Sequence, residues 1–192
     1  MMHDFNSVLD FWFGAPDSAE RGRPRKCWFT KDAAFDAEIR SRFLSLHDAA
    51  RRGELAAWER GPLSALSLVV TLDQFPRNMF RGEARAFTAD PLALSVARRM
   101  IATGFDGLLR PVERAFVYLP YEHAEDLAAQ RRSLALFAGL ADSADSASII
   151  DYARRHYEII ARFGRFPHRN DVLGRVSTAE EVAFLDQPGS SF

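Results

Sequence analysis

In 192 residues the chain holds a single cysteine, Cys27. One thiol excludes an internal disulfide and any cysteine-built zinc cluster, and it fits a reducing compartment. Lysine is nearly as scarce: Lys26 and Lys31 are the only lysines among 25 basic residues, so guanidinium groups carry almost all the positive charge. Net charge is also lacking. At a formal -1, nothing draws the chain toward phosphate backbones or anionic lipid. No apolar run reaches the length of a bilayer. The opening stretch, MMHDFNSVLDFWFG, carries Asp4 and Asp10 and no basic segment, so it does not read as a signal peptide. The cytoplasm is the expected compartment. No Walker loop, Gly-x-Gly-x-x-Gly, Gly-x-Ser-x-Gly or complete metal-ligand spacing occurs. Neither a nucleic acid, a membrane, a metal nor another cofactor is expected as a partner.

What the chain has in quantity is apolar and aromatic bulk: 47% hydrophobic residues, with sixteen Phe and three Trp. Their spacing is helical throughout, and no alternating strand pattern appears. Phe5, Val8, Leu9 and Trp12 share one face of a short first helix. Trp28-Phe29 interrupts a polar loop and is expected to plug into the core. Thr30 or Asp32 caps a second helix buried on Phe35, Ile39, Phe43 and Leu46. Pro62 opens a third, apolar on nearly every side, which is the mark of a surrounded helix. It is expected to end at Phe75-Pro76, because a proline disfavours helix in the residue before it. Asp90-Pro91 reads as an N-cap and first turn. Pro111 opens a further helix, broken at Pro120 and resuming over Tyr121–Leu140. A turn is expected over Ala141–Ser148, then a helix to Phe163. Ser177-Thr178-Ala179-Glu180 reads as a capping box. Helices joined by short loops predict an all-α fold of antiparallel helix pairs in one domain, 1–192, with 104–110 as the place where a subdivision could fall.

Two stretches echo each other. LDQFPRNMFRG (Leu72–Gly82) and FGRFPHRNDVLG (Phe163–Gly174) both read Phe-Pro, Arg-Asn, three residues, Gly, the second with His168 inserted. Each follows a helix and places an arginine and an asparagine just after a proline that fixes the chain direction. The two turns are expected to meet in one polar site.

Several residues around these turns can carry chemistry. Asp73 lies on the apolar stripe of Leu66 and Val70 and needs a partner, since a lone buried carboxylate is costly. Arg77, four residues on, is the nearest. The pair either lines an anion pocket or pins the turn as a structural ion pair. Glu122-His123-Ala124-Glu125-Asp126 is the densest acid–imidazole cluster. It supplies either an acid/base pair, His123 with Glu122 or Asp126, or merely acids at the positive end of a helix. His156 sits on an apolar helix face, as a satisfied core histidine does. Arg162, Arg165, His168, Arg169 and Asn170 crowd one loop, where they hold an anion or tie down helix carbonyls.

The runs VLDFWFG (Val8–Gly14), LDQFPRNMFRG, AFTAD (Ala86–Asp90), YLPYEHAEDLAAQ (Tyr118–Gln130), RFGRFPHRN (Arg162–Asn170), LGRVSTAEEVAFL (Leu173–Leu185) and the closing PGSSF resemble, in order, the bacterial family called DUF924. That resemblance implies a tetratricopeptide-like helical bundle with antiparallel helix pairs around a concave groove. It brings no reaction, cofactor or catalytic residue. The family commonly reads His-Ser-Glu-Asp-Leu where this chain has His123-Ala124-Glu125-Asp126-Leu127, so no serine nucleophile stands there. The reading favoured by the residues is a protein that binds a small anionic molecule or acidic peptide through Asp73, Arg77, Asn78, His123, Arg165, His168, Arg169 and Asn170. The alternatives are a hydrolase or lyase using His123 with Glu122 or Asp126, and a scaffold whose polar network is structural.

Overall fold

The computed structural model describes residues 4–140 and 146–190. Within them the protein is all-α, with no strand. Helix α1 (Phe5–Phe13) is capped by Asp4, whose carboxylate accepts from the Asn6 amide, and α2 (Ala33–Arg51) by Asp32. Such caps satisfy amides that have no partner inside the helix. The turn expected over Ala141–Ser148 lies outside the described residues at 141–145, and α8 (Ser146–Phe163) begins directly after them. Among the described residues no helix is long and apolar enough to cross a membrane.

The core is aromatic where α1 meets the middle of the chain. Trp12 is fully buried and stands edge-on to Phe75 and Phe116, with ring centroids 5.6 and 5.7 Å apart. Burying each of these rings contributes roughly 1.5–3 kcal/mol. Trp28 joins them, its indole N–H donating to the Trp12 carbonyl at 2.8 Å. Phe29 does not. It is 71% exposed and lies flat over Phe116 at the surface, so only half of the expected aromatic plug enters the core. One continuous cluster of buried apolar residues runs from Val8 to Ala153 and includes residues on both sides of 104–110. A small satellite of Ile159, Ile160 and Phe166 lies toward the C-terminus.

The surrounded helix is longer than the sequence suggests. It starts as α3 (Pro62–Val69), widens into a π-helical turn over Val70–Gln74, and continues as α4 (Phe75–Met79). Ala65 through Pro76 are all buried. Pro76 does not end it. A proline ring clashes with the carbonyl four residues back in an α-helix and leaves a hydrogen bond unmade. Here the turn before it is already wide, with the Phe75 amide bonding to the Val70 carbonyl five residues back, and the wide turn carries the helix through the proline.

Helix α5 (Asp90–Ala102) has Ala89 as its N-cap, with no side-chain cap. Asp90 is therefore a first-turn residue whose carboxylate is available elsewhere. Pro120 lies inside α6 (Pro111–Glu122), near enough to its end that one missing N–H is tolerated, and the helix stops two residues later. The chain crosses His123–Glu125 outside any helix before α7 (Leu127–Ala138), which Asp126 caps by accepting from the Ala129 amide. The last capping box is one residue later than expected: Thr178 and Glu181, opening α9 (Ala179–Leu185).

Candidate functional site

The wide turn before Pro76 carries Asp73 and Gln74, neighbours in sequence that are both buried. A turn of more residues than an α-helix allows spreads their side chains into the same interior. Asp73 is fully enclosed, and three groups hold it. His123 Nδ1 lies 2.8 Å from Oδ1, the Gln74 amide donates to Oδ2 at 2.6 Å, and Arg77 stands 3.4 Å away. Burial alone would raise this carboxyl; Arg77 and His123 more than reverse it and hold the pKa at about 2. His123 is pushed below the ordinary imidazole value, first by burial and then by Arg77, against the pull of Asp73. The ring is thus neutral at pH 7 beside an ionised carboxylate.

Arg77 donates to the Asp73 carbonyl at 2.5 Å and forms a two-pronged pair with Asp90, 3.0 Å on each prong. Arg169 reaches the same carboxylate from the second turn, Nη1 to Asp90 Oδ2 at 3.5 Å, and donates to the His123 carbonyl at 3.1 Å. Its guanidinium is clamped between the Phe87 and Phe166 rings at 4.6 and 4.4 Å. Burial lowers its pKa to about 10, which leaves it charged. Its Nε is buried with no hydrogen-bond partner.

Behind this layer Glu122 Oε1 lies 3.1 Å from His156 Nδ1, both side chains only 5% exposed. Burial, with Asp73 adding to it, raises the Glu122 carboxyl to about 8, and burial lowers His156 to about 2. The His123 and His156 rings are 6.2 Å apart. Gln130, fully buried on α7, donates to the Glu122 and Ala124 carbonyls and so seals the end of α6.

The structure thus brings Asp73, Arg77, His123 and Arg169 together, with His168 beside Arg169, which helps lower the His168 pKa to about 4 after burial. It does not bring in the rest of the expected set. Asn78 donates to Asp36, and Asn170 donates to Ser177. Arg165, half-buried, pairs with the buried Glu181 in the first turn of α9. Asp126 is occupied as a helix cap, and Glu122 faces His156 instead of His123. The partner of His123 is Asp73, fifty positions earlier.

Gln74 and Phe87 were not singled out from sequence; Asp90 was read only as a helix cap, and Glu125, part of the acid–imidazole cluster, was not matched with Arg175. Glu125 accepts from the Phe166 amide and from both prongs of Arg175, and so bolts the His123 loop to the second turn. For Asp90 one signal existed: two arginines in matching turns need a carboxylate, and Asp73 cannot serve both. Among the described residues no three His, Cys, Asp or Glu side chains gather as a metal site would require.

Comparison with known proteins places the chain in a family. The chain matches the family described as "Bacterial protein of unknown function (DUF924)" over residues 8–189. No curated protein matches. Among solved structures it is similar to a protein of unknown function, ATU0120, from Agrobacterium tumefaciens, at 42% sequence identity and a TM-score of 0.83, covering 95% of this chain and 96% of that one. The chain belongs to the DUF924 family of bacterial proteins of unknown function.

Proposed function

We propose that the polar centre binds a small molecule through a single carboxylate, within one domain, 1–192, of tetratricopeptide-like helix pairs acting in the cytoplasm without nucleic acid or membrane. One observation carries the reading. Two guanidinium groups converge on one Asp90 carboxylate, and the buried Nε of Arg169 is left without a partner. A buried donor with nothing to bond is costly, and a ligand oxygen would relieve it. The charges select the ligand further. Arg77 and Arg169 face Asp73 and Asp90, while Glu122 is neutral near pH 7. The site is balanced, so donor geometry and not excess charge does the selecting, which suits a monoanion better than a phosphate. Side-chain exposures of 20% at Arg77, 14% at Asp90 and 12% at His123 suit a small molecule better than an acidic peptide.

Thermal unfolding in increasing acetate, succinate and phosphate tests this. The carboxylates are expected to raise the midpoint by mass action, and Arg169→Lys, which keeps the charge but loses the fork, is expected to blunt the rise. No shift in the wild-type protein with any of the three anions would sink the reading in favour of a structural clasp. The clasp has its own support in the two-pronged Asp90–Arg77 pair. Two surface grooves, of about 470 Å³ along Ala19–Cys27 and about 190 Å³ between α3 and α5, also lie away from these residues.

A further inference from the structure

We propose that His123, oriented by Asp73, is a general base whose Nε2 activates water for the hydrolysis of a small ester bearing a carboxylate. The carboxylate end of that substrate rests on the binding reading above; the dyad itself does not.

The proton's place follows from the partners. An ionised carboxylate can only accept, so the contact of 2.8 Å between Asp73 and His123 Nδ1 requires the hydrogen on Nδ1. The lone pair is then on Nε2. Among the described residues no hydrogen-bond partner meets Nε2, and the side chain keeps 12% of its surface open. Asp73 cannot turn away, because Gln74 holds its other oxygen and Arg77 stands beside it. This is the arrangement in which a carboxylate fixes the tautomer of a catalytic imidazole and stabilises the cation that forms on it.

No Ser, Thr or Cys side chain bonds to the ring among the described residues, so the proton that Nε2 takes comes from water and not from a protein nucleophile. The step balances with water alone. As the water oxygen bonds to the ester carbonyl carbon, one water proton passes to Nε2 and the carbonyl π pair moves to its oxygen. The tetrahedral adduct collapses, the bond to the leaving oxygen breaks, and that oxygen takes the proton back from Nε2. Ester and water become acid and alcohol, and the ring is neutral again. Arg169, with its Nε unspent, stands beside the ring together with Arg77 for the substrate's carboxylate. His123 is the catalytic residue and Asp73 a positioning residue.

The groups facing His123 set its pH behaviour: Asp73 and Arg77 on the central helix, Asp90 on α5, His156 on α8 and Arg169 on the second turn, with Glu122 of α6 lying beyond against His156. Together they keep the ring neutral, so activity is expected to hold through neutral pH and fall only below the ordinary imidazole range.

The experiment compares mono-p-nitrophenyl succinate with p-nitrophenyl acetate on the full-length protein, alongside nitrogen NMR of the histidine rings. Wild type is expected to show His123 as the Nδ1–H tautomer and to hydrolyse the succinate ester faster than the acetate. His123→Gln is expected to lose about 100-fold or more of the rate, the usual share of a general base. Asp73→Asn is expected to slow the reaction, mix the tautomers and move the acid limb of the pH profile; should it fail to fold, the wild-type tautomer still decides the positioning role. An Nε2–H tautomer, or hydrolysis by wild type no faster than by His123→Gln, overturns the dyad. Succinate binding without hydrolysis does the same while the binding reading survives. Equal, His123-dependent hydrolysis of both esters keeps the dyad and removes the carboxylate from the substrate.

Discussion

The two Phe-Pro turns share a sequence pattern and do not share a backbone. In the first, Phe75 is helical, at φ -57° and ψ -39°, and Pro76 lies inside a continuous helix. In the second, Phe166 is extended, at φ -89° and ψ 109°, and Pro167–Arg169 forms a single 3-10 turn. What differs is the chain ahead of each. The first proline follows a wide turn that accepts it, whereas the second follows Gly164, whose φ of 71° has already ended α8. His168 supplies the extra residue that lets an extended entry deliver an arginine to the same place. Both arginines arrive at Asp90, while the asparagines diverge to Asp36 and Ser177. A shared motif therefore predicts a shared destination for one side chain without predicting a shared conformation.

The sharpest way to break the symmetry is Arg77→Ala. It leaves buried Asp73 with only His123 and Gln74, and Asp90 with only the 3.5 Å contact to Arg169, and broken buried pairs cost about 3–5 kcal/mol. Chemical denaturation measures it. Arg169→Ala leaves Asp90 still paired with Arg77 and removes chiefly the clamp between Phe87 and Phe166. A desolvated cation–π contact is worth about 2 kcal/mol, so the second turn is expected to tolerate its loss better. Equal losses in the two variants would mean that Asp90 depends on both arginines alike.

A third prediction sets the polar centre against a buried histidine elsewhere. His47 is fully enclosed against Phe80, its Nδ1 has only the Asp48 carboxylate at 3.5 Å, and burial, against the pull of Asp48, lowers its pKa from 6.5 to about 4. Between those values the unfolded chain binds a proton that the folded one refuses. Its contribution is therefore intact above pH 6.5 and lost as pH falls toward 4. Replacing it, as in His47→Leu, should flatten stability across that window. Glu122 acts in the opposite sense. Its folded pKa of about 8 makes the folded state hold a proton the unfolded chain releases above 4.5, so stability falls as pH rises through that range. Glu122→Gln should remove that slope, and unfolding midpoints at pH 5 and pH 8.5 measure both.

The smallest effect is expected at the glycines that close the two turns. Gly82 and Gly174 have φ of 81° and 64°, and an added Cβ would meet nothing within 4 Å at either. Only the left-handed conformation is at stake, so alanine at each position should cost about 1–2 kcal/mol. Matching losses would show that this closing position, unlike the entry, is alike in both turns.

Much of the helix pattern was legible because caps and prolines act locally. Asp32, Pro62 and Pro111 mark real starts. Asp73 stood out as a carboxylate on an apolar stripe, and His123 as part of a dense polar cluster. Their pairing was hidden because it joins residues fifty positions apart, a distance that periodicity does not encode. Asp90 was missed for a different reason: Asp-Pro imitates a helix cap, and only the tertiary fold reveals that Ala89 takes that position. The passage of a helix through Phe75-Pro76 rests on a widened turn, which no local residue preference announces.

That widened turn lies in a stretch with no outward face, since Ala65 through Pro76 are all buried. A helix at the surface can fray or roll while the rest of the domain stays folded. This one cannot move without parting the helices around it, so its amides should exchange with solvent only through opening of much of the molecule. The carboxylate of Asp73 is then as permanent as the fold. Any motion that admits a molecule to the polar centre must come from the other side, from the His123 loop and the second Phe-Pro turn.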